Sequence, residues 1–330
     1  MSKRMIGAAR KLLQAMGATA FLGVICVATG AQGQENYPTR KNVTLIVTYS
    51  AGATDTTARM FVPYFSEKLG QKVVVENVPG ASGNLGYAAG MRAAPDGYTI
   101  VFAVQGLASN PALFGDAPYD PIKSFVPVTV VANLYQMLVA APGVPFNNVT
   151  ELIALARKRP GELTYAETGG SARFAMEVLI GMAGNMKLTN VTFKGGGESL
   201  NAVLGGHVNM LWDSVSQMGA HVQAGRLKPI AWAGAKRNKQ FPNVPTVAES
   251  IPGYEYGGWF GLIVPAGTPR PIVDRIRTAA VAALQVPELQ RRLEEGGNDV
   301  VGSTSEEFAA LIQKEVVRYQ QLTKQMGISR

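Results

Sequence analysis

Cysteine is almost missing from this 330-residue chain: Cys26 is the only one. It falls within an N-terminal stretch that reads as a leader, so the remainder has no thiol, no disulfide and no cysteine-based metal site. Histidine is nearly as scarce. His207 and His221 stand far apart in different contexts, and a zinc centre needs several ligands at suitable spacing. Neither a metal nor a cofactor is expected. Catalytic signatures are lacking too. The nearest approach to a G-x-S-x-G elbow, Gly169-Gly170-Ser171-Ala172-Arg173, lacks its last glycine, and no Gly-Lys dipeptide exists to make a Walker loop. Gly80, Gly83 and Gly86 are evenly spaced but follow Pro79 instead of closing a dinucleotide-binding turn. No catalytic residue is assigned, and the chain is not expected to be an enzyme.

A strong excess of one charge is also missing. The formal net charge is +8, but four of the cations lie in the leader, which leaves the rest nearer +4. No Lys/Arg run points to nucleic acid. Long apolar runs are confined to the N-terminus. Lys3, Arg4, Arg10 and Lys11 precede an apolar stretch from Leu12 to Thr29, and small Gly30, Ala31 and Gly33 precede polar Gln34. That is the three-part pattern of a secretory signal peptide, residues 1–33, and it predicts a soluble, exported, periplasmic protein.

What is present is a repeated strand–turn–helix pattern. Val43 to Tyr49 reads as a buried strand and runs into Ser50-Ala51-Gly52-Ala53-Thr54-Asp55. Ala58, Phe61, Val62, Phe65 and Leu69 then recur at helical spacing, with Pro63 expected to kink the helix. Strands at Lys72–Glu76 and Tyr98–Val104 flank a short Ala-rich helix. This alternation predicts a parallel sheet with helices on its faces. The pattern returns in the second third. Asn148 with Glu151 caps a helix, and Leu163 to Ala166 leads into Glu167-Thr168-Gly169-Gly170-Ser171 and a helix carrying Phe174. Near the end, Thr268 before Pro269 predicts one helix cap, and Thr304 with Glu307 a capping box for the last helix.

The turns at Ser50–Asp55 and Thr168–Ser171 are built from Gly, Ala, Ser and Thr. Small residues let an anion approach the backbone, and the N–H groups at a helix N-terminus favour negative charge. Ordinary tight turns use the same residues, so composition alone leaves the anion site open.

Taken in order, the strings GATDTTAR, VVENVPGASGNLG, APDGYT, NPALF, YDPIKSFVPV, RPGELTYA, FKGGGESLNAVLGGHVNMLWD, AKRNKQFPNVPTVAES and WFGLIVPAGTP closely resemble the Bug (TctC) family, the extracytoplasmic receptors of tripartite tricarboxylate transporters. The resemblance runs from about Tyr37 to the C-terminus. It implies a periplasmic-binding-protein fold: two α/β lobes, a ligand cleft between them and two crossing hinge segments. Domain 1 would comprise residues 37–136 plus 257–330, and domain 2 residues 137–256. The family's ligand-holding turns fall on Ala51, Gly52, Ala53, Thr54 and Asp55 and on Thr168, Gly169, Gly170 and Ser171.

Departures from the family pattern bear on the ligand. Arg173 stands where relatives often have His, Lys194 where Tyr is usual, and Trp212 where Phe is common. These residues, with Tyr49, Phe174, Phe193 and Asp213, complete the candidate site. The expected ligand is a small carboxylate, specifically a dicarboxylate with an aromatic or apolar middle such as terephthalate. Arg173 would reach its far end while the aromatics line the pocket. The expected partners are the transporter's membrane subunits, with the receptor itself a monomer. A receptor for a sensor kinase, or an esterase using Ser171, are the alternatives.

Overall fold

The computed structural model describes residues 37–50, 52–167, 170–184, 186–193, 196–234, 236–254 and 256–325. The expected leader, its boundary and Cys26 lie outside them. Among the described residues no helix is long and apolar enough to cross a membrane.

Two sheets organise the chain. The first holds β1 (Val43–Val47), β2 (Val73–Asn77), β3 (Thr99–Val104), β4 (Phe125–Leu134), β10 (Gly258–Pro265) and β11 (Asn298–Val300), in the order β11-β4-β10-β3-β1-β2. The second holds β5 (Gln136–Ala140), β6 (Thr164–Glu167), β7 (Thr189–Thr192), β8 (Met210–Ser214) and β9 (Lys228–Trp232), in the order β7-β6-β8-β5-β9. Each sheet has three parallel strands, β2-β1-β3 and β7-β6-β8, arranged the same way. In each, the next strand is antiparallel and enters directly from the other lobe. Only Tyr135 separates β4 from β5, and β10 begins just after Tyr256 and Gly257. The lobes are thus two α/β units joined by two crossings of the chain.

Helices cover both faces of the first sheet, which explains why β1 is apolar at nearly every position. Val43, Leu45 and Val47 face α1 (Ala53–Leu69), α8 (Arg270–Leu284) and α9 (Pro287–Glu295), packing with Phe61, Phe65, Ile276 and Leu293. Ile46 and Val101 face the other way, toward α2 (Asn84–Arg92), α3 (Gly106–Phe114) and α10 (Ser305–Gln325), with Tyr87, Leu107 and Phe308. Around the second sheet lie α4 (Val149–Lys158), α5 (Gly170–Met182), α6 (Gly196–Leu204) and α7 (Val215–Gln223), whose core includes Leu152, Leu179 and Met218.

Local signals behave as their chemistry dictates, with one exception. Asn148 accepts the Glu151 N–H at 2.9 Å, and Thr304 and Glu307 cap each other's N–H groups at 2.8 and 3.1 Å. Pro63 lies inside α1, which runs on to Leu69 with Ala58, Phe61, Phe65 and Leu69 buried on one core. Thr268 does not cap α8. Its hydroxyl donates to the Pro265 carbonyl at 2.7 Å, and Pro269 takes the N-cap position.

Candidate functional site

In a doubly wound sheet, loops after adjacent strands on either side of a switch in strand order diverge and leave a crevice at the strands' C-terminal edge. Here the switch lies between β1 and β3 in one lobe and between β6 and β8 in the other. The helices that follow those strands therefore aim their N-termini at the space between the lobes.

Two cavities lined by described residues lie in that space. The larger, about 820 Å³, is lined by Gly52, Ala53 and Thr56 from the start of α1, by Gly196 and Gly197 from α6, and by Ser216 and Gln217 from α7. The smaller, about 330 Å³, is lined by Gln105, Gly106 and Ser109 from the start of α3, by Thr54, and by Phe174, Tyr256 and Trp259. Tyr49 and Leu134 line both and stand between them. The described lining residues of both cavities include no Lys, Arg, His, Asp or Glu. Polarity comes instead from backbone, hydroxyls and amides.

The helix starts at the cleft are open, as are those of α2, α8 and α9 elsewhere in the chain. The N-caps of α1, α3 and α7 have no side-chain cap hydrogen bond, so their first N–H groups are left for a ligand. Gly52 adopts φ 88° and ψ −164°, a conformation essentially reserved for glycine, and a Cβ built on it meets nothing within 4 Å. Gly197, across the cleft, likewise faces open space. An anion can reach the backbone from both sides.

Asp55 supports the turn. Its carboxylate accepts from Arg59 Nε at 2.9 Å and from Asn77 Nδ2 at 2.7 Å, while Asn77 Nδ2 also donates to the Tyr49 carbonyl at 2.8 Å. Burial pushes its pKa up, but hydrogen bonds from Arg59 and Asn77 outweigh this and hold it below the ordinary value. One carboxylate thereby ties the ends of β1 and β2 to the first turn of α1. Tyr49 donates its hydroxyl to the Ser82 carbonyl at 2.9 Å, which fixes the ring between the two cavities. Burial raises its pKa, so it stays a neutral donor.

In the second lobe, Asp213 ends β8 and accepts the Ser214 N–H at 2.6 Å and the Gln217 amide at 3.3 Å. Burial raises its pKa despite the hydrogen bonds from Ser214. A Cβ on Gly196 would lie 3.5 Å from Asp213 Oδ2 and 3.2 Å from the Gln217 amide. Asp213 therefore stands beside the start of α6 and is hydrogen-bonded to the start of α7.

The profile of the tripartite tricarboxylate transporter family receptor, TctC, matches residues 57–328. The chain belongs to this family. It is 31% identical over 304 residues to the UPF0065 protein in the tcbD-tcbE intergenic region of Pseudomonas sp. (strain P51), covering 91% of this chain and 90% of that one. Among solved structures it is similar to the periplasmic binding protein BugD, with a TM-score of 0.77 and 30% identity over 89% of this chain and 99% of that one. It is also similar to Rpa4515 of R. palustris with adipate, at TM-score 0.79 and 32% identity over 88% of this chain and 99% of that one.

In this TctC receptor the structure gathers only part of the expected site. Tyr49, Gly52, Ala53, Thr54 and Phe174 line the cavities. Ala51, Thr168, Gly169 and Lys194 lie outside the described residues, and of Gly170 and Ser171 only their place at the start of α5 is described. Arg173 is exposed and does not line either cavity. Successive helix residues point about 100° apart, so burying Phe174, whose ring packs edge-on to Tyr319 at 5.1 Å, turns Arg173 away. Trp212 is buried in the core of its own lobe, stacked on Tyr254 at 6.5 Å, and Phe193 packs at the margin of the same core. Sequence reading missed the start of α3, the start of α7 and the crossing residues Tyr256 and Gly258. Gln105-Gly106-Leu107-Ala108 follows the strand expected at Tyr98–Val104, and only its position after the third parallel strand marks it.

Proposed function

We propose that this TctC receptor works in the periplasm, encloses a small dicarboxylate with an apolar middle, and delivers it to the membrane subunits of a tripartite tricarboxylate-type transporter. The observation that carries this reading is the pair of neighbouring cavities that share Tyr49 and Leu134, each opening on uncapped helix N-termini and neither lined, among the described residues, by a charged side chain. One carboxylate would take the N–H groups at the starts of α1, α6 and α7. The other would take the start of α3 beside Ser109. The body of the ligand would pass Tyr49, Leu134 and Phe174. A relative of similar fold holds adipate, a linear dicarboxylate, and the aromatic lining makes terephthalate the first compound to try. The charged leader and the periplasmic relative BugD support the location.

Calorimetry with terephthalate, adipate and benzoate tests the reading. A second charged contact contributes about 1.5–3 kcal/mol, so a dicarboxylate should bind roughly ten- to a hundredfold tighter than benzoate. Arg173→Ala should leave that ratio unchanged. Benzoate binding as tightly as terephthalate would remove the second anion contact.

A further inference from the structure

The segment AKRNKQFPNVPTVAES, prominent in the sequence, takes no part in the cavities. Its described part forms an arm of the second lobe. Arg237 grips Glu249 through two hydrogen bonds of 2.8 and 2.6 Å and donates a third, of 3.1 Å, to the Pro242 carbonyl. Thr246 and Glu249 make a reciprocal capping box, and Phe241 is buried beside Gly219 of α7. The base of the arm is therefore fixed to its own lobe.

Its tip crosses to the other lobe. Gln240 Nε2 donates to the Glu294 carbonyl at 2.7 Å, at the C-terminal end of α9, and Lys239 Nζ lies 3.4 Å from Glu294 Oε1. Lys239 and Lys236 also act on Asp299 of β11: burial raises the Asp299 pKa, Glu294 adds to the rise, and the two lysines oppose it. A carbonyl at a helix C-terminus carries partial negative charge and attracts both an amide donor and a lysine. Beside this contact, Gly297 abuts Val215, the first residue of α7, so closely that a Cβ on it would lie 2.7 Å from Val215 Cβ. The next residues, Gly296 and Asn298, line the larger cavity.

We infer that the Lys236–Phe241 arm is the clasp that holds the two lobes closed, with Gln240 and Lys239 as positioning residues for ligand retention. The lobes are joined covalently only at the two crossings, so this tip adds to the packing of Phe174 on Tyr319 and of Gly297 on Val215 in setting how readily the cleft opens. Lys239 is 84% exposed, so its Coulomb attraction is screened and small. The hydrogen bond from the Gln240 amide to the Glu294 carbonyl joins two groups without formal charge, so salt screens it little. The inference does not depend on which ligand fills the cleft.

The test uses ligand-free full-length chain carrying Cys26→Ser, with spin labels on cysteines introduced at Lys68 in the first lobe and Arg159 in the second. Pulsed electron resonance then gives the populations of closed and open separations. Gln240→Ala should raise the open-to-closed ratio about three- to tenfold, at both low and high salt. Lys239→Glu should raise it at low salt only, and Lys239→Glu with Glu294→Lys should restore it. Thermal melting of these variants should stay at the unmutated value, which separates clasping from a general structural role. Unchanged distance distributions in Gln240→Ala and Lys239→Glu would overturn the inference. So would a chain without these two substitutions that never populates the closed separation.

Discussion

A methyl group placed on each wall of the cleft separates ligand contact from fold stability. Gly52→Ala and Gly197→Ala both add a Cβ that meets nothing within 4 Å, so in each the new methyl projects into the space between the lobes. Their effects on folding differ. Gly52 holds φ 88° and ψ −164°, where an L-residue costs about 1–3 kcal/mol. At no more than about 2–4 °C per kcal/mol, the scale for chains of 150–250 residues, melting should fall by at most roughly 2–12 °C. Gly197 has no positive φ and sits in the first turn of α6, where alanine is at least as good as glycine. Melting of that variant should hold or rise slightly. Binding, in contrast, should weaken in both. A carboxylate within hydrogen-bonding distance of these N–H groups has no room for a methyl in the same place, and losing even one charge-assisted contact costs about 1.5–3 kcal/mol, or ten- to a hundredfold in affinity. The assay is calorimetry with terephthalate or adipate beside thermal melting without ligand. If Gly197→Ala binds as tightly as the unmutated chain, the carboxylate does not touch the second lobe at α6. If Gly52→Ala also does, the anion site lies elsewhere.

Thr54→Ala, which removes a hydroxyl on the wall of the smaller cavity, should weaken binding by about 1–2 kcal/mol in the same titrations. Gly261→Ala should cost about 1–3 kcal/mol in denaturant melts without altering affinity, because its Cβ would lie 2.4 Å from Phe308 Cζ in the core under β10. Glu315 is buried with Oε2 unpartnered, and burial raises its pKa against the pull of Arg318. A folded-state pKa above the unfolded value means a contribution fully present below about pH 4.3 and lost as pH rises through the raised value. The melting temperature of Glu315→Gln relative to the unmutated chain should therefore rise between pH 4 and 7.5, and a difference that does not change with pH would refute this.

Much of the architecture was written locally. Val43 to Val47 is apolar at nearly every position because its sheet is covered on both faces, and the caps at Asn148 and Thr304 depend on residues three positions apart. The small residues from Gly52 onward announced an exposed helix start for the same reason. Which helix starts meet was not local. The starts of α3 and α7 join the cleft because β3 and β8 flank the switch points of two separate sheets, a fact of strand order and not of composition. Tyr256 and Gly258 reach the cavity because the returning chain inserts β10 antiparallel beside β3. Helix phase decided between neighbours. Phe174 packs against Tyr319, more than a hundred residues away in sequence, and that contact leaves Arg173 facing out. Sequence sets which backbone groups are available to a ligand, since that depends on side chains within one turn. Tertiary structure decides which of them face one another, since that depends on the order in which distant strands pair.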